Sequence, residues 1–121
     1  MSAPKRRRAA LLPRLRVLRG PEVALGPGKV ALLEAIASEG TIAGAARALR
    51  MSYMRAWTLV RTMNRSFRRP LVETARGGAG RGTTRLTPTG AAVASLYREM
   101  EERGRQAAAP PWQRLRRLLK P

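Results

Sequence analysis

The amino-acid sequence contains no cysteine and no histidine, and its seven acidic residues are all glutamate. The absence of cysteine and histidine excludes disulfides, thiol nucleophiles, histidine general bases and zinc sites built from the usual ligands. Three of the glutamates, Glu99, Glu101 and Glu102, lie among arginines, where ion pairing on a helix surface accounts for them, and no acid–base pair or metal set is visible. We therefore predict that the protein is not an enzyme and that it uses no cofactor or metal ion.

Long apolar runs are absent as well. The one early run, residues 9–12, is interrupted by Pro13 and Arg14 and is too short for the core of a signal peptide. Nothing in the sequence approaches the roughly 18 apolar residues that a membrane span needs. The 121 residues suffice for one small domain with tails. These features predict a soluble, cytoplasmic protein that does not enter a membrane.

Basic residues dominate the charge: lysine and arginine number 25, acids number 7, and the formal net charge is +18. Such a surplus predicts an anionic polymer as partner, although its sign alone does not distinguish nucleic acid from an acidic membrane surface, and biased composition is the alternative explanation. The distribution is more informative, because the segment between Glu39 and Glu73 has no acid and carries Arg47, Arg50, Arg55, Arg61, Arg65, Arg68 and Arg69. This segment predicts a positive face for DNA, which would place the protein at the nucleoid.

Residues 1–25 divide into an arm and a hairpin. Residues 1–13 contain four consecutive basic residues from Lys5 onward and no apolar periodicity, which predicts a disordered basic arm that contacts phosphates or is simply solvated. In residues 14–25, apolar residues alternate with arginines before Gly20-Pro21 provides a turn, so a small hairpin is predicted.

Three closely spaced helices follow the hairpin. Pro27 is typical of a first helical turn and predicts a helix over residues 27–39, with an apolar face made of Val30, Leu33, Ile36 and Ala37. Thr41 can cap a second helix over residues 41–49, with apolar positions at Ile42, Ala45, Ala46 and Leu49. Ser52 can cap a third helix over residues 52–67, and two helices joined so tightly form a helix-turn-helix.

The third helix has two different faces. Its apolar face is predicted to pack in the core and consists of Tyr53, Ala56, Trp57, Val60, Met63 and Phe67. The opposite face is polar and cationic and consists of Met54, Arg55, Thr58, Arg61, Thr62 and Arg65. An ordinary surface helix has the same pattern, and the alternative role for Tyr53 and Trp57 is stacking on single-stranded bases. The helix-turn-helix context favours a helix that enters the major groove of DNA.

A helix that enters the major groove brings the side chains near its N-terminus closest to the base edges. Arg55 can present two donors to guanine, and Thr58 and Met54 can contact a thymine methyl group, so these three are the predicted base contacts. Contacts with phosphates or with more distant bases are predicted for Ser52, Arg61, Thr62 and Arg65.

Residues 71–87 predict a β-hairpin wing with a glycine-rich tip. The tip lacks the Lys-Ser/Thr ending and the strand-to-helix setting of a P-loop, so nucleotide binding is not predicted. Arg76, Arg81 and Arg85 are predicted to reach the DNA backbone or the minor groove, with a plain solvated turn as the alternative.

A last helix is predicted over residues 88–108. Thr87 can cap it with Pro88 in the first turn, and its apolar stripe consists of Val93, Leu96, Tyr97 and Met100. Pro110-Pro111 is predicted to end the helix, which leaves residues 109–121 as a short basic tail.

In this order of elements the chain resembles the N-terminal DNA-binding domain of ModE-type molybdate-responsive transcriptional regulators, which is related to the winged helix of LysR-type regulators. The resemblance spans residues 14–105 and is carried by Gly28-Lys29, residues 31–36, Gly40, Ala45-Ala46, Ser52-Tyr53, Ala56-Trp57, Met63-Asn64, Pro70-Leu71-Val72, Gly77-Gly78, Gly82-Thr83, Leu86-Thr87 and Gly90. It implies a mainly α fold with small β-hairpins: a winged helix-turn-helix with residues 52–67 as recognition helix and residues 71–87 as wing. It also implies a homodimer on a palindromic site, with a long last helix whose Val93, Leu96, Tyr97 and Met100 form the dimer interface.

Two features depart from that family. Arg50 stands where such regulators often have glycine in the turn, and a left-handed arginine there costs about 1 kcal/mol. The family's molybdate-binding domains follow the DNA-binding domain, whereas this sequence ends at Pro121. We therefore predict a regulator without those domains that does not bind molybdate tightly. Any sensor is expected either on a separate protein or not at all. The alternative prediction is a non-specific nucleoid-associated or RNA-binding protein.

Overall fold

The computed structural model describes residues 8–76 and 82–121, which form four helices and two hairpins. The first hairpin consists of β1 (Val17–Arg19) and β2 (Glu22–Leu25), and the second of β3 (Val72–Arg76) and β4 (Gly82–Leu86). Between the hairpins lie α1 (Pro27–Glu39), α2 (Ile42–Ala48) and α3 (Tyr53–Ser66), and α4 (Pro88–Arg116) follows the second hairpin. The predicted fold class, mainly α with small β-hairpins in a winged helix-turn-helix arrangement, is confirmed.

Three of the helices begin at hydroxyl side chains that cap them. The Thr41, Ser52 and Thr87 oxygens each accept a hydrogen bond, at 2.9 to 3.0 Å, from the backbone N–H three residues later. Each bond satisfies one of the amides that a helix leaves without an internal partner in its first turn. The starts of α2, α3 and α4 are therefore determined by local sequence.

Helix α1 lies at the centre of the core. It packs against α2, α3, α4 and β4, and Val30, Leu33 and Ile36 have no exposed surface. The assignment of Ala37 to the buried face is wrong, because Ala37 is exposed while Leu32 and Ala35 are buried. A helix with neighbours on several sides buries more than one stripe, which a single helical face does not anticipate.

The turn between α2 and α3 contains the one non-glycine residue with a positive φ angle among the described residues. Arg50 has a φ of 57°, and its N–H donates to Arg47 O at 3.1 Å. Met51 N–H in turn donates to Ala46 O at 3.0 Å, so the turn is tied back to α2. The left-handed backbone costs an arginine about 1 kcal/mol, whereas glycine adopts it without that penalty.

Asn64 joins the end of α3 to the start of β3. Its side-chain oxygen accepts hydrogen bonds from Leu71 N–H (2.8 Å) and Val72 N–H (3.1 Å), and its side-chain nitrogen donates to Val72 O (3.0 Å). Leu71 and Val72 are both buried, so their backbone groups have no access to bulk water. Asn64 therefore satisfies three backbone groups and fixes the direction in which the wing leaves α3.

Helix α4 approaches the same point very closely. Thr87 N–H donates to Leu71 O at 2.9 Å, and the Thr87 hydroxyl donates to Pro70 O at 2.7 Å. A Cβ atom at Gly90 would lie 2.0 Å from Leu71 O, a separation that no pair of non-bonded atoms adopts. Only glycine at position 90 therefore permits this packing. We call the group formed by Asn64, Leu71, Thr87 and Gly90 the wing junction.

The prediction that Pro110-Pro111 ends the last helix is wrong, because α4 continues to Arg116. A proline inside a helix removes one amide donor and leaves the carbonyl one turn earlier without its partner. The carbonyls concerned belong to Gln106 and Ala107, which are exposed, so water can bond to them. The basic segment after α4 is thus residues 117–121 rather than residues 109–121.

The first half of α4 is attached to the rest of the fold by Tyr97 and Arg98. Tyr97 is fully buried and its hydroxyl donates to Leu15 O at 2.8 Å, and burial raises the pKa of this phenol. Arg98 donates two hydrogen bonds to Glu34 on α1, at 2.6 and 2.8 Å, and a third to Glu101 at 2.7 Å. The placement of Tyr97 in a dimer interface is therefore wrong, because its side chain is enclosed by its own chain.

Candidate nucleic-acid interface

Helix α3 presents one face to the core and the other to solvent. Ala56, Val60 and Met63 are buried on the inner face. On the outer face the side chain of Met54 is 71% exposed, and Arg55, Thr58, Arg61 and Arg65 are also exposed. The outer face thus consists of the α3 residues predicted to contact DNA, of which Thr62 is half-buried.

The hydroxyl groups on α3 are partly engaged by their own helix. Thr58 donates to Met54 O and Thr62 donates to Thr58 O, both at 2.9 Å, while Ser52 accepts the N–H of Arg55. Each threonine oxygen keeps its acceptor capacity and each threonine keeps its methyl group, whereas Ser52 keeps a proton to donate. These groups can contact a partner, but the two threonines offer methyl groups and acceptors rather than donors.

The cations of the predicted site differ in their partners. Within the described residues, Arg55 and Arg61 form no ion pair with a carboxylate. Arg65 lies 3.5 Å from Glu22 on β2, and Arg85 lies 2.8 Å from Glu73 across the second hairpin. Arg55 and Arg61 are therefore the two guanidinium groups on α3 whose donors remain available without breaking an ion pair.

Glu22 lies beside cationic and polar side chains at the C-terminal end of α3. Burial acts to raise the pKa of Glu22, but Arg65, a hydrogen bond from Ser66 and the nearby Arg19 together lower it. Arg65 is thus bound to the first hairpin as well as being exposed, which distinguishes it from the other arginines of α3.

Tyr53 and Trp57 form an aromatic pair at the N-terminal end of α3. Their rings are edge-to-face with centroids 6.4 Å apart, and the Trp57 indole N–H donates to the Tyr53 hydroxyl. The placement of Tyr53 in the core is wrong, because 49% of its surface is exposed, while Trp57 is half-buried against the core. Tyr53 is the first residue of α3, and the helical period does not determine whether another element covers it there.

The second hairpin is regular where it is described. Strands β3 and β4 are antiparallel, with partners from Val72 and Leu86 to Arg76 and Gly82, and Thr84 N–H donates to Gly40 O at 2.8 Å. The glycine-rich tip at residues 77–81, which includes Arg81, lies outside the described residues, as does the side chain of Arg76. The predictions that concern these two arginines are therefore not addressed by the structure.

The exposed apolar residues on α4 are fewer than the stripe predicted from sequence. Leu96 is 56% exposed and Met100 is 42% exposed, whereas Val93 is half-buried against the core. Leu96 and Met100, with the edge of Val93, remain as surface that a second chain could cover.

Sequence reasoning missed two cations that lie beside the predicted site. Arg16, which precedes β1, and Lys29, in the first turn of α1, line a cavity together with Arg55. No spacing rule connects three residues on three different elements, and their shared charge was the only signal in the sequence.

Two further classes of site are absent from the part of the chain that the structure describes. No cluster of three or more acidic, histidine or cysteine residues able to hold a metal ion is found there. None of the described helices combines the length and the apolar character required to cross a membrane.

Comparison with known proteins identifies the helix-turn-helix region. Residues 28–91 match the family described as bacterial regulatory helix-turn-helix protein, lysR family. The chain is 47% identical over 77 residues to the molybdenum-pterin-binding protein MopA of Rhodobacter capsulatus, a match that covers 64% of this chain and 29% of MopA. It is 41% identical over 78 residues to the molybdenum transport protein ModE of Azotobacter vinelandii, with 64% and 29% covered.

A third relative has a name that states a regulatory role. The DNA-binding transcriptional dual regulator ModE of Escherichia coli K12 is 38% identical over 71 residues, which are 59% of this chain and 27% of that protein. The chain thus matches less than a third of the length of these relatives. The matched region of the family includes α1, α2, α3 and the second hairpin. The predicted resemblance to ModE-type DNA-binding domains is confirmed, and the chain belongs to the lysR family of bacterial regulatory helix-turn-helix proteins.

Proposed function

We propose that the protein is a transcriptional regulator of the ModE type that binds double-stranded DNA in a sequence-specific manner through the outer face of α3. The observation that carries the proposal is the exposed, acid-free face of α3, where Arg55 and Arg61 have no carboxylate partner among the described residues. A single α-helix fits the major groove of B-form DNA, and the N-terminal part of the second helix of a helix-turn-helix faces the base edges. Such a regulator acts at the nucleoid and performs no catalytic step.

Within this proposal the residues of α3 divide into base readers and phosphate contacts. Arg55 pairs with guanine through two donors, and Met54 and the Thr58 methyl group contact thymine methyl groups. The hydroxyls of Thr58 and Thr62 already donate within the helix, so a thymine methyl or a donor on the DNA suits them better than an acceptor. Thr62 is assigned to a base farther along the groove. Phosphates are assigned to the remaining cations and to the free hydroxyl proton of Ser52: Ser52, Arg61, Arg65, Arg76, Arg81 and Arg85.

The proposed active form is a homodimer. Leu96 and Met100 expose apolar surface on one side of α4, and burying that surface against its symmetry mate would be favourable. A two-fold axis through α4 would present two copies of α3 to successive major grooves, about 34 Å apart. With about eight phosphate contacts in the dimer, the logarithm of the binding constant should fall with the logarithm of salt concentration with a slope near −7.

Two of the relatives are named for molybdenum, and one of them is named as a transport protein. We assign to these 121 residues the DNA-binding step alone, with the molybdenum-linked signal supplied by a separate sensor or by another part of the polypeptide. Titration calorimetry with molybdate should accordingly show no stoichiometric submicromolar complex with these residues. Such a complex would contradict this division of roles.

The test of the proposed function is in vitro selection of duplexes from a random pool. The expected result is an enriched, roughly two-fold symmetric motif with half-sites one helical turn apart. An exhaustive selection that enriches no motif would contradict sequence-specific recognition.

A second candidate function is non-specific binding to DNA or RNA, and two observations favour it. The net charge is +18, and Tyr53 and Trp57 lie together at an exposed helix end, where a base can stack on the tyrosine ring. Competition with bulk genomic DNA at equal mass separates the two functions. A sequence-specific regulator retains its selected duplex, because its target affinity exceeds the background on the order of a thousandfold or more, whereas a non-specific binder releases it.

A further inference from the structure

A small cavity lies where the first hairpin, α1 and α3 meet. Its volume is about 180 Å³, several times the roughly 30 Å³ that one water molecule occupies in the liquid. Three cations line it: Arg16 from the segment just before β1, Lys29 from α1 and Arg55 from α3. None of the residues that line the cavity is acidic.

The three cations are held around the cavity by the fold. The side chain of Arg16 passes over Gly26, where an added Cβ atom would be 3.8 Å from Arg16 Cγ. The Lys29 ammonium donates a hydrogen bond to Val23 O, which is part of the cavity wall. Arg55 is exposed in the first turn of α3 and forms no ion pair with a described carboxylate. All three groups are thus placed beside a cavity that no acidic side chain lines.

The nearest carboxylate is already engaged elsewhere. Glu22 acts on Lys29 from outside the cavity, but it pairs with Arg19 and Arg65 and accepts a hydrogen bond from Ser66. Burial is the largest influence on Lys29 and lowers its pKa, Arg65 lowers it further, and Glu22 only partly opposes them. The ammonium is therefore held partly away from solvent beside the cavity, where an anion would stabilise its charge.

We propose that this cavity binds a phosphate group. Arg16 supplies guanidinium donors suited to phosphate oxygens and Lys29 supplies a point charge, while Arg55 adds positive potential beside the cavity and keeps its donors for the base edges. The group comes either from the DNA backbone or from a free phosphate ion, and the cavity recognises the same chemistry in both. The DNA source rests on the proposed function, because Arg55 also belongs to the outer face of α3. A backbone phosphate in the cavity would fix the depth at which α3 enters the groove.

The experiment uses three single variants of the whole chain, each of which removes one positive charge. Arg16→Gln and Lys29→Gln alter the cavity, and Arg114→Gln alters an exposed arginine near the end of α4 as the matched control. Arg16 is exposed, so its variant reports on the cavity even where the half-buried Lys29 proves necessary for folding. Circular dichroism establishes that each variant is folded before binding is measured.

One arm of the experiment measures the melting temperature in inorganic phosphate and in sodium chloride at equal ionic strength and pH. For a free phosphate ligand, phosphate should raise the melting temperature of the parent and of Arg114→Gln more than that of the two cavity variants. This arm needs no DNA, so it is independent of the proposed function.

The other arm measures the salt dependence of duplex binding, on a selected sequence and on a random one. For a DNA phosphate in the cavity, the log–log slope should become shallower by about 0.9 per cavity occupied in Arg16→Gln and Lys29→Gln, and less in Arg114→Gln. A change on both duplexes supports the cavity even where no preferred sequence exists. The proposal is overturned where the cavity variants match Arg114→Gln in both arms.

Discussion

On the inner side of α3, Asn64 uses three hydrogen bonds to hold the start of β3, whereas on the outer side Arg55 and Arg61 form no ion pair within the described residues. The inner side contacts the wing junction, where the backbones of Gly90 and Leu71 are so close that there is no room for a side chain at position 90. The outer side is exposed to solvent. Polar side chains of α3 thus have two roles. Asn64 fixes the helix to the wing, and this attachment holds the outer face, with Arg55 and Arg61, in position.

The difference has a thermodynamic consequence. Substitutions at the wing junction remove satisfied, buried interactions or introduce overlap, so their effects should appear in the free energy of unfolding. Substitutions on the outer face leave the free energy of unfolding almost unchanged, because surface side chains away from special contacts contribute within about 0.5 kcal/mol. Their effects should appear in DNA affinity instead.

The largest expected effect is that of Gly90→Ala. The added Cβ atom would lie 2.0 Å from Leu71 O, so α4 must move away from the wing junction. We expect a loss of about 3 kcal/mol or more in the free energy of unfolding, the upper part of the range for overpacking. Gly104→Ala in the same helix is the control, since nothing lies within 4 Å of its Cβ position. Gly104→Ala should be more stable than the parent by about 0.5 to 1 kcal/mol. Urea unfolding measures the free energy of unfolding of both variants. Equal effects would contradict a close contact between Gly90 and Leu71.

Asn64→Ala should have the next largest effect. It leaves Leu71 N–H, Val72 N–H and Val72 O without their side-chain partner, which should cost about 2 to 3 kcal/mol. Asn64→Asp is the matched variant, because a carboxylate still accepts from both N–H groups but donates nothing to Val72 O. Thermal unfolding should place Asn64→Asp between the parent and Asn64→Ala. The reverse order would mean that Asn64 acts by some means other than these bonds.

Arg50→Gly tests the turn between α2 and α3, which sets the position of α3 relative to α2. Glycine relieves the left-handed strain at this position, and although glycine also makes the unfolded chain more flexible, the variant should gain up to about 1 kcal/mol. Arg50→Ala removes the same charge but keeps a Cβ atom, so it should gain nothing. A difference between the two variants in chemical denaturation supports strain, and identical stabilities would argue against it.

Arg98→Ala should reduce stability less than the substitutions at the wing junction. Its hydrogen bonds lower the pKa of Glu34, but both side chains are 44% exposed, so solvent screening should limit the loss to about 1 kcal/mol or less. A carboxyl group whose pKa is lowered in the folded state contributes stability above its ordinary pKa near 4.5 and loses it as the pH falls through the lowered value. The difference between parent and Arg98→Ala should thus be full at pH 7 and shrink below about pH 4.5.

The control for that variant is Arg103→Ala, which removes a more exposed pair with Glu99 on the same helix. Its effect should be nearer 0.3 kcal/mol. A difference between parent and Arg98→Ala that did not change with pH would exclude Glu34 as the partner that matters.

Local chemistry made much of the fold predictable. Thr41, Ser52 and Thr87 cap helices through bonds that span only three residues, so a short stretch of sequence contains the whole interaction. The two faces of α3 follow from a periodicity that the helix itself imposes. The helix-turn-helix could be predicted for the same reason, because its two caps and its short turn are adjacent in the sequence.

Burial at the ends of elements was not predictable in this way. Tyr53 is on the predicted apolar face of α3, at the first residue of the helix, yet 49% of its surface is exposed. Tyr97 was predicted to lie in an exposed stripe, yet it is buried and its hydroxyl donates to Leu15 O, which precedes β1. Both outcomes depend on distances between elements that are far apart in the sequence.

The physical roles of Asn64 and Gly90 were hidden for a related reason. Both belonged to the motif that carried the resemblance, but their partner is the backbone near Leu71, and a backbone group leaves no trace in residue type. The candidate DNA site was affected in the same way, because the pairing of Arg65 with Glu22 depends on where the first hairpin lies. A helical pattern can therefore identify an outer face but not which of its cations are already paired.

The most direct test of the central claim is the affinity of Arg55→Ala for a selected duplex and for a random duplex at one salt concentration. The account predicts that target binding weakens by about 1 to 3 kcal/mol while binding to random DNA changes much less and the melting temperature stays that of the parent. Equal losses on both duplexes, or no loss on either, would contradict the assignment of the outer face of α3 as the surface that reads DNA sequence.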